Sequence, residues 1–396
     1  MFRRLGLFVV FILMFSFLAV PSSVSGSGNG DLTDYYIYVE FFPEDNVLNG
    51  TEMVEYKNLE GEDLDSIYFH LYPNSFVNEE NLSSFNSFSD EFDPGWIDIK
   101  SVRFNGDFLS EDDFSVNGTL LRIDRDLDSG DTVNLEFNFS VKIPNLVGRF
   151  GHHNGVYYLG NWYPILSVYD DGWDKDPYYE VGDPFYSEVS NYLVEFKVPS
   201  DYSVAHTGSR VSEKYVDGKS RLTIKASKVR DFALAFSDEY VSMEKEISVN
   251  GRGVKFKCFA TDKTNLEESF KWGKRTLRFY SSVFGVYPYD QFTVAETMIS
   301  GGMEYPQLVF VGPRFIWTNP YVTIHETSHQ WWYGVVGNDE VEDPWLDESL
   351  AEYSTSLFYR NSSEFDFRGD MDGTLSELDV NDLEGVGVSI RNITWE

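Results

Sequence analysis

Residues from about 31 to 237 carry short runs dense in β-branched and aromatic side chains, divided by polar turn residues. Such runs are typical of strands. The clearest of them are 36–41, 132–137 and 191–196. Pairs typical of turns, Asn-Gly, Ser-Gly and Asp-Gly, stand at 117–118, 129–130 and 217–218. The pattern predicts a β-rich domain over residues 31–238.

From residue 239 onward the pattern is one of helices alternating with strands. We predict a helix that is capped by Thr264 or Asn265 and ends near Phe284. The apolar side of that helix is formed by Phe270, Leu277, Tyr280 and Phe284. A strand at 291–295 and two more helices follow. We therefore predict an α+β, multidomain protein whose second domain, over residues 239–396, is of mixed α/β type.

The two later helices have recognisable starts, because Asn319-Pro320 and Asp343-Pro344 each place a capping residue before a proline. Asn and Asp are favoured N-caps, and proline suits the first helical position. In the second of these helices the apolar positions are Leu346, Leu350, Tyr353 and Leu357. We expect this stripe to pack into the core.

The amino-terminal segment has the features of a secretory signal. Arg3 and Arg4 precede an apolar run over residues 5–20, and small residues follow at 21–26. This order predicts a signal peptide over residues 1–25 and a secreted or extracytoplasmic protein. The alternative is an uncleaved membrane anchor, although spanning a bilayer takes about 20 apolar residues. Contact with a membrane is expected only in that case.

Composition limits the partners of the protein. The chain of 396 residues has 31 Lys and Arg against 65 Asp and Glu, a net charge of −34. A surface this acidic repels phosphate groups, so no nucleic acid is expected as a partner. The single cysteine, Cys258, excludes a disulfide framework, a multi-cysteine zinc site and an iron–sulfur cluster. We expect Cys258 to be a small buried hydrophobic residue.

Residues 325–329 read His-Glu-Thr-Ser-His, which is the pattern H-E-x-x-H. Residues i and i+4 share one face of a helix, so the imidazoles of His325 and His329 can bind the same metal ion. Glu326 lies about 100° farther around the helix and can address a water on that ion. Because the whole chain has only six histidines, the pattern favours a zinc site over two surface histidines.

A third ligand is expected from the next helix. Eighteen residues separate His329 from Glu348, which follows the predicted start of that helix. Two histidines and one glutamate leave a fourth position for water, the arrangement of a catalytic zinc site. Glu340 and Glu342 are rival ligands, but they fall in a predicted loop. Glu352, one turn after Glu348, either orients a ligating histidine or is a solvated helix residue.

These motifs resemble those of the gluzincin aminopeptidases in the membrane alanyl aminopeptidase family, relatives of the leukotriene hydrolases. That family carries H-E-x-x-H and, eighteen residues later, a glutamate in a Trp-Leu-Asp-Glu helix, as at 345–348 here. It also carries a Gly-x-Met-Glu-Asn strand before the zinc helix, where residues 301–305 read Gly-Gly-Met-Glu-Tyr. The first half resembles the family's β-saddle domain through its texture and through residues 160–164, Gly-Asn-Trp-Tyr-Pro.

The resemblance implies a β-saddle domain followed by a thermolysin-like zinc peptidase domain. It implies one zinc ion per chain, held by His325, His329 and Glu348, with Glu326 as the general base.

By the same resemblance, Glu304 would bind the free α-amine of a peptide substrate. Gly301, Gly302 and Met303 would line the substrate backbone. The expected partners are therefore peptides with a free amino terminus. Tyr305 stands where the family usually has Asn. This difference could relax the requirement that substrates have a free amino terminus.

The family also uses a tyrosine some sixty to seventy residues beyond the third ligand to stabilise the oxyanion, so we expect the catalytic domain to be incomplete at Glu396. Two hypotheses follow. The first is a secreted zinc aminopeptidase that uses zinc-activated water. The second is a zinc-binding but catalytically weak or inactive fragment or paralogue that acts as a binding module. An endopeptidase is a subsidiary alternative, which Glu304 disfavours.

Overall fold

The computed structural model describes residues 31–78, 87–88, 92–179, 182–317 and 320–362. The predicted signal peptide, Asn319 and the residues beyond 362 lie outside these ranges. Within the ranges described, none of the helices combines the length and the apolar character needed to cross a membrane.

The first half of the chain consists of strands joined by turns and one short 3-10 helix, Tyr72–Phe76. In chain order the strands are β1 (Asp34–Phe42), β2 (Val47–Lys57), β3 (Ile67–His70), β4 (Ser87–Phe88), β5 (Trp96–Phe104), β6 (Asp107–Phe108), β7 (Phe114–Asn117), β8 (Leu120–Ile123), β9 (Thr132–Lys142), β10 (Leu146–Val147), β11 (Phe150–His153), β12 (Val156–Leu159), β13 (Ile165–Leu166), β14 (Ser190–Pro199), β15 (Ser203–His206), β16 (Ser209–Val216), β17 (Lys219–Val229) and β18 (Leu234–Ser237). The prediction of a β-rich first half is confirmed.

The largest sheet has eight strands in the order β16-β17-β14-β1-β2-β9-β5-β6. Its strands pair antiparallel except for β1 and β14, which run parallel. Burial alternates strictly along β14, as a sheet with one covered face requires. The smaller sheets β11-β12-β18-β15 and β13-β3-β8-β7 contribute to the same apolar core.

The second half forms a mixed sheet covered by helices. Its elements are β19 (Val241–Val249), β20 (Arg252–Ala260), α1 (Lys263–Phe284), β21 (Gln291–Glu296), β22 (Gly302–Met303), β23 (Leu308–Val311), α2 (Pro313–Trp317), α3 (Tyr321–Ser328) and α4 (Trp345–Arg360). The strand order is β19-β20-β21-β23-β22, and β22 forms an edge of this sheet. The predicted class, a β-rich part followed by an α/β part, is confirmed.

Helix α1 matches its prediction except at the cap. Asp262 is the N-cap, and its carboxylate accepts hydrogen bonds from the backbone N–H groups of Thr264 (2.6 Å) and Asn265 (3.3 Å). The prediction of Thr264 or Asn265 as the cap was therefore wrong. Asn265 is buried instead, and its amide donates to Glu296 Oε2 at 2.6 Å. The predicted apolar side is confirmed, since Leu277 and Tyr280 are fully buried.

Helix α4 is rotated relative to its prediction. Asp343 does not cap the helix, because the cap residue is Pro344 and it makes no side-chain cap hydrogen bond. The expected apolar stripe was also wrong, since Leu346 and Leu350 are only half-buried and Tyr353 is 61% exposed. The buried positions are Asp347, Ala351, Ser354, Thr355 and Phe358. This rotation turns the start of the helix towards α3, where the predicted ligands lie.

The apolar core of the first half includes residues of the second half, which has a further core of its own beneath its helices. Tyr305, from the second half, is fully buried among residues of the first. Its hydroxyl donates to Asn161 Oδ1 at 3.3 Å, and a Cβ atom on Gly160 would overlap that hydroxyl. Gly160 is therefore required for the close approach of the ring. This contact lies in residues 160–164, the stretch that resembles the β-saddle domain of the aminopeptidase family.

Candidate metal centre

Helix α3 presents both histidines from its carboxyl-terminal half. His325 lies within the helix, and His329 is its C-cap residue. Two hydroxyl groups close the last turn: Thr327 Oγ1 donates to the carbonyl of Thr323 at 2.6 Å, and Ser328 Oγ donates to the carbonyl of His325 at 2.7 Å. Both imidazoles are thus held on a buried, internally bonded turn.

The atoms of the predicted ligand set converge. The Nε2 atoms of His325 and His329 lie 3.1 Å apart, and Glu348 Oε2 lies 3.2 Å from His325 Nε2. Glu348 Oε1 lies 3.7 Å from His329 Nε2. Zinc bonds of about 2.0–2.2 Å in a tetrahedron place ligand atoms about 3.3–3.6 Å apart. The three observed separations of 3.1, 3.2 and 3.7 Å lie close to this range, so the group is compatible with a single zinc ion.

The tautomer of His329 suits metal binding. Its Nδ1 lies 2.9 Å from the backbone carbonyl of Trp332, which can only accept a hydrogen bond. Nδ1 therefore carries the proton, and the lone pair of Nε2 is directed towards His325 and Glu348. A ring nitrogen bonded to a carbonyl in this way fixes the orientation of a ligating imidazole.

The charges around the histidines favour a cation. Burial lowers the pKa of His325, but the hydrogen bond to Glu348 and the charge of Glu326 outweigh it and raise that pKa to about 9. The pKa of His329 falls to about 4, because the ring is fully buried beside His325. Burial raises the pKa of Glu348, yet its contacts with both histidines hold it at about 2. At neutral pH His325 therefore carries a proton, His329 is neutral and Glu348 is ionised, and a divalent ion would take the place of that proton.

Glu326 is buried at 7% exposure, and its carboxyl group lies against Gly302 in the edge strand β22. Burial raises the pKa of Glu326 to about 8, and the charge of His325 opposes that rise. A cation at the histidines would lower the pKa of Glu326 further towards neutrality, the range in which a general base works best. The position of this carboxylate depends on the absence of a side chain at residue 302.

Gly302→Ala should therefore displace Glu326. A Cβ atom at residue 302 would overlap the Glu326 carboxyl group. Misplacement of a catalytic group by about 1 Å costs on the order of 10²-fold in rate. If Glu326 acts as the base that the resemblance implies, we expect kcat for the hydrolysis to fall by about that factor with zinc content unchanged. Ser300→Ala, at an exposed neighbouring position, is the matched control, and an unaltered kcat in Gly302→Ala would contradict this arrangement.

Glu304, predicted from the resemblance to bind an amine, is 3% exposed, and its Oε1 atom has no hydrogen-bond partner among the residues that the structure describes. Burial raises the pKa of Glu304 well above its usual value, and the neighbouring Asp183 and Glu326 raise it further. A carboxylate in these surroundings gains most from a cationic partner. Buried Met303, the last residue of β22, directly precedes Glu304, and Gly301, with φ of +140°, directly precedes that strand.

Other carboxylates surround Glu304. Within the described ranges, the groups whose ligand atoms lie within 4.8 Å of one another are His325–His329–Glu348, Glu304–His329–Asp347 and Asp183–Glu304–Glu348. Asp183 and Asp347 were not among the predicted site residues. Asp347 directly precedes the predicted ligand Glu348 in the Trp-Leu-Asp-Glu motif, and this position could have identified it from the sequence.

Arg149, in the first half of the chain, is the counter-charge of this cluster. Its guanidinium donates to Asp183 Oδ1 and, at 2.7 Å, to the carbonyl of Gly182. Its Nε lies 3.1 Å from the sulfur of Met303. Arg149 thus connects the first half of the chain to β22, the strand that directly precedes Glu304.

The remaining predicted residues lie at the edge of the site. Glu352 Oε1 is 3.6 Å from His325 Nδ1 and accepts a hydrogen bond from Tyr321. That position is compatible with orienting the imidazole, and the role stays a prediction. Glu340 lies in the loop before α4, as expected, and is buried. Glu342 lies in the same loop and is half-buried.

Solved structures of M1 zinc metallopeptidases have the same fold. The enzyme of Deinococcus radiodurans matches with a TM-score of 0.61 and 18% identity, over 88% of this chain and 75% of that chain. A mutant of that peptidase bound to a Tyr-Ser-Ala substrate matches with a TM-score of 0.62, 17% identity and the same coverage. Aminopeptidase A of Legionella pneumophila in complex with aspartic acid gives 0.61 and 11%, over 83% and 37%.

No protein-family model and no curated protein sequence matches this chain. The similarity therefore rests on three-dimensional structure, and it shows that the chain has the fold of the M1 zinc metallopeptidases. Within that class, the similar structures include one described as an aminopeptidase.

Proposed function

We propose that the protein is a zinc aminopeptidase that hydrolyses the first peptide bond of peptides with a free amino terminus. The observation that carries the proposal is the convergence of His325, His329 and Glu348 at separations of 3.1, 3.2 and 3.7 Å. The shared fold with zinc metallopeptidases supports it. We also propose one zinc ion per chain and, from the composition of residues 1–25, an extracytoplasmic location.

The residues divide the chemistry between them. Zinc, when bound, lowers the pKa of water to about 7 and polarises a carbonyl group. Glu326, close to His325, takes the proton of the attacking water and later delivers it to the leaving amine. Strand β22 is an edge of its sheet among the described residues, and an extended peptide can add to the edge of a sheet.

Glu304 sets the position of the cut. Its buried carboxylate follows β22 directly, so a peptide aligned on that strand presents its ammonium group to Glu304. A longer peptide chain on the amino-terminal side would bury the Glu304 carboxylate without a cation. This arrangement favours removal of single amino-terminal residues over internal cleavage.

Blocking the substrate amine tests this proposal. We expect leucyl peptides with a free amino terminus to be cleaved about ten- to hundredfold faster, in kcat/KM, than their acetylated forms. A lost charge-assisted contact costs about 1.5–3 kcal/mol. Glu304→Gln should remove most of that preference, whereas Glu267→Gln, an exposed position on α1, should leave it intact. Equal cleavage of free and acetylated peptides by the unmodified protein would favour an endopeptidase.

A further inference from the structure

A polar cavity separate from the metal centre lies where the first half of the chain meets strands β19 and β20. Its volume is about 250 Å³, room for about eight water molecules at roughly 30 Å³ each. Charged side chains of both signs line it: Lys257, Arg210, Asp201, Glu213 and Glu244. None of these residues takes part in the proposed peptidase chemistry.

Lys257 is the unexpected residue of this cavity. It lies in β20, where Val254, Phe256 and Cys258 face the helix-covered apolar core. The odd-numbered residues of β20 face the other side of the sheet. On that side Phe259 packs in the core of the first half. Lys257 occupies the buried position beside Phe259, where an apolar side chain would be the ordinary choice.

The ammonium group of Lys257 is poorly compensated. Its side chain is 8% exposed, and within the described part of the chain Nζ makes no hydrogen bond. Its ion pair with Glu244 Oε2 spans 4.0 Å, and the other oxygen of that carboxylate lies 3.8 Å from Lys255 Nζ. Burial lowers the pKa of Lys257 to about 8, with Arg210 and Lys255 adding to the effect. Nζ is not fully enclosed, so water in the cavity can solvate it, and an acceptor placed there would give it a direct partner.

The other charged groups restrict what that acceptor can be. Arg210 donates to Glu213 Oε2 at 2.6 Å, so its charge is already paired. Glu244, which is half exposed, and Asp201 add further negative charge to the lining. A simple anion would be attracted by Lys257 but repelled by these carboxylates. A molecule that carries both a carboxylate and an ammonium group can interact favourably with Lys257 through the first and with the carboxylates of the cavity through the second.

We propose that this cavity binds a free α-amino acid in its zwitterionic form, with the carboxylate on Lys257 and the ammonium group towards Glu244. The volume suits the ligand, because leucine has nine non-hydrogen atoms and the cavity holds about eight waters. Free amino acids are the product of the proposed peptidase activity. That connection rests on the proposed function, but the binding itself does not.

Protection of Lys257 from acylation tests the proposal independently of catalysis. The folded protein is treated with a lysine-acylating reagent, and modification is measured residue by residue by mass spectrometry. Saturating L-leucine should slow modification of Lys257 at least about fivefold. Lys255, on the same strand and more exposed, is the internal control and should be unaffected. N-acetylleucine and leucinamide, which each lack one charge, should protect far less.

Calorimetry separates this site from the peptidase site. Lys257→Met, of similar length, should weaken leucine binding about ten- to hundredfold, the range for loss of a charge-assisted contact. Glu304→Gln, which affects only the proposed peptidase site, should retain the protection of Lys257. Absence of protection by leucine, or equal protection by N-acetylleucine and leucinamide, would overturn the proposal. Failure of peptide hydrolysis with protection intact would count against the peptidase proposal alone.

Discussion

Glu326→Gln is expected to lower kcat for aminoacyl-amide hydrolysis by about 10²–10⁴-fold, the range for loss of a general base. Glutamine keeps the shape that fits against Gly302 but cannot accept the proton of the attacking water. Because Glu326 is not one of the converging ligand atoms, zinc content should stay at the wild-type value. Steady-state kinetics and metal analysis on the same preparation measure both quantities.

Two outcomes would count against this role. A kcat within about threefold of wild type in Glu326→Gln would exclude Glu326 as the base. A wild-type protein that binds zinc but hydrolyses neither peptides nor amides would favour the alternative of a non-catalytic binding module. Glu267→Gln again serves as the matched control for the change of charge.

His329→Ala is expected to abolish zinc binding, reducing the metal content from about one ion per chain to near zero. The imidazole of His329 is fully buried, and its Nδ1 is committed to the carbonyl of Trp332. The two ligands that remain, His325 and Glu348, leave a divalent ion with too few protein donors for a stable site. Elemental analysis after gel filtration measures the change.

The control for this variant is His153→Ala. His153 is half-buried at the end of β11, and it lies 3.4 Å from Asn145 Oδ1 through its Nδ1. The His153→Ala variant should keep the full zinc content. Equal zinc in His329→Ala and in the wild-type protein would show that the metal, if bound, is held elsewhere in the chain.

The sequence-based predictions succeeded where the interaction is local. The i, i+4 spacing of His325 and His329 predicts one helical face, and their Nε2 atoms do lie 3.1 Å apart. The burial of Leu277 and Tyr280 on α1 follows from the same periodicity. Glu348 was reachable as well, because Pro344 is typical of a helix start and α4 does begin at the next residue, Trp345.

Contacts between distant segments could not be predicted in this way. Asp183 and Arg149 reach the site from the first half of the chain, and nothing near them in sequence marks a partner in β22. The buried face of α4 was also missed, because apolar spacing favoured Tyr353 while packing against α3 buries Asp347 and Ser354. Tertiary contacts decided the rotation of that helix, and its own amphipathic pattern did not.

The shared core has a consequence for synthesis on the ribosome. The last strand of the first half ends at Ser237, yet the core of that half includes Phe310, 310 − 237 = 73 residues later. At roughly 5–20 residues per second, this interval takes about 4–15 s. During this interval the apolar faces of the first sheets stay partly uncovered, because Tyr305 and Phe310 have not yet been synthesised. Helix α3 begins only about ten residues after Phe310, so the core of the first half is completed and the histidine pair is synthesised at nearly the same time.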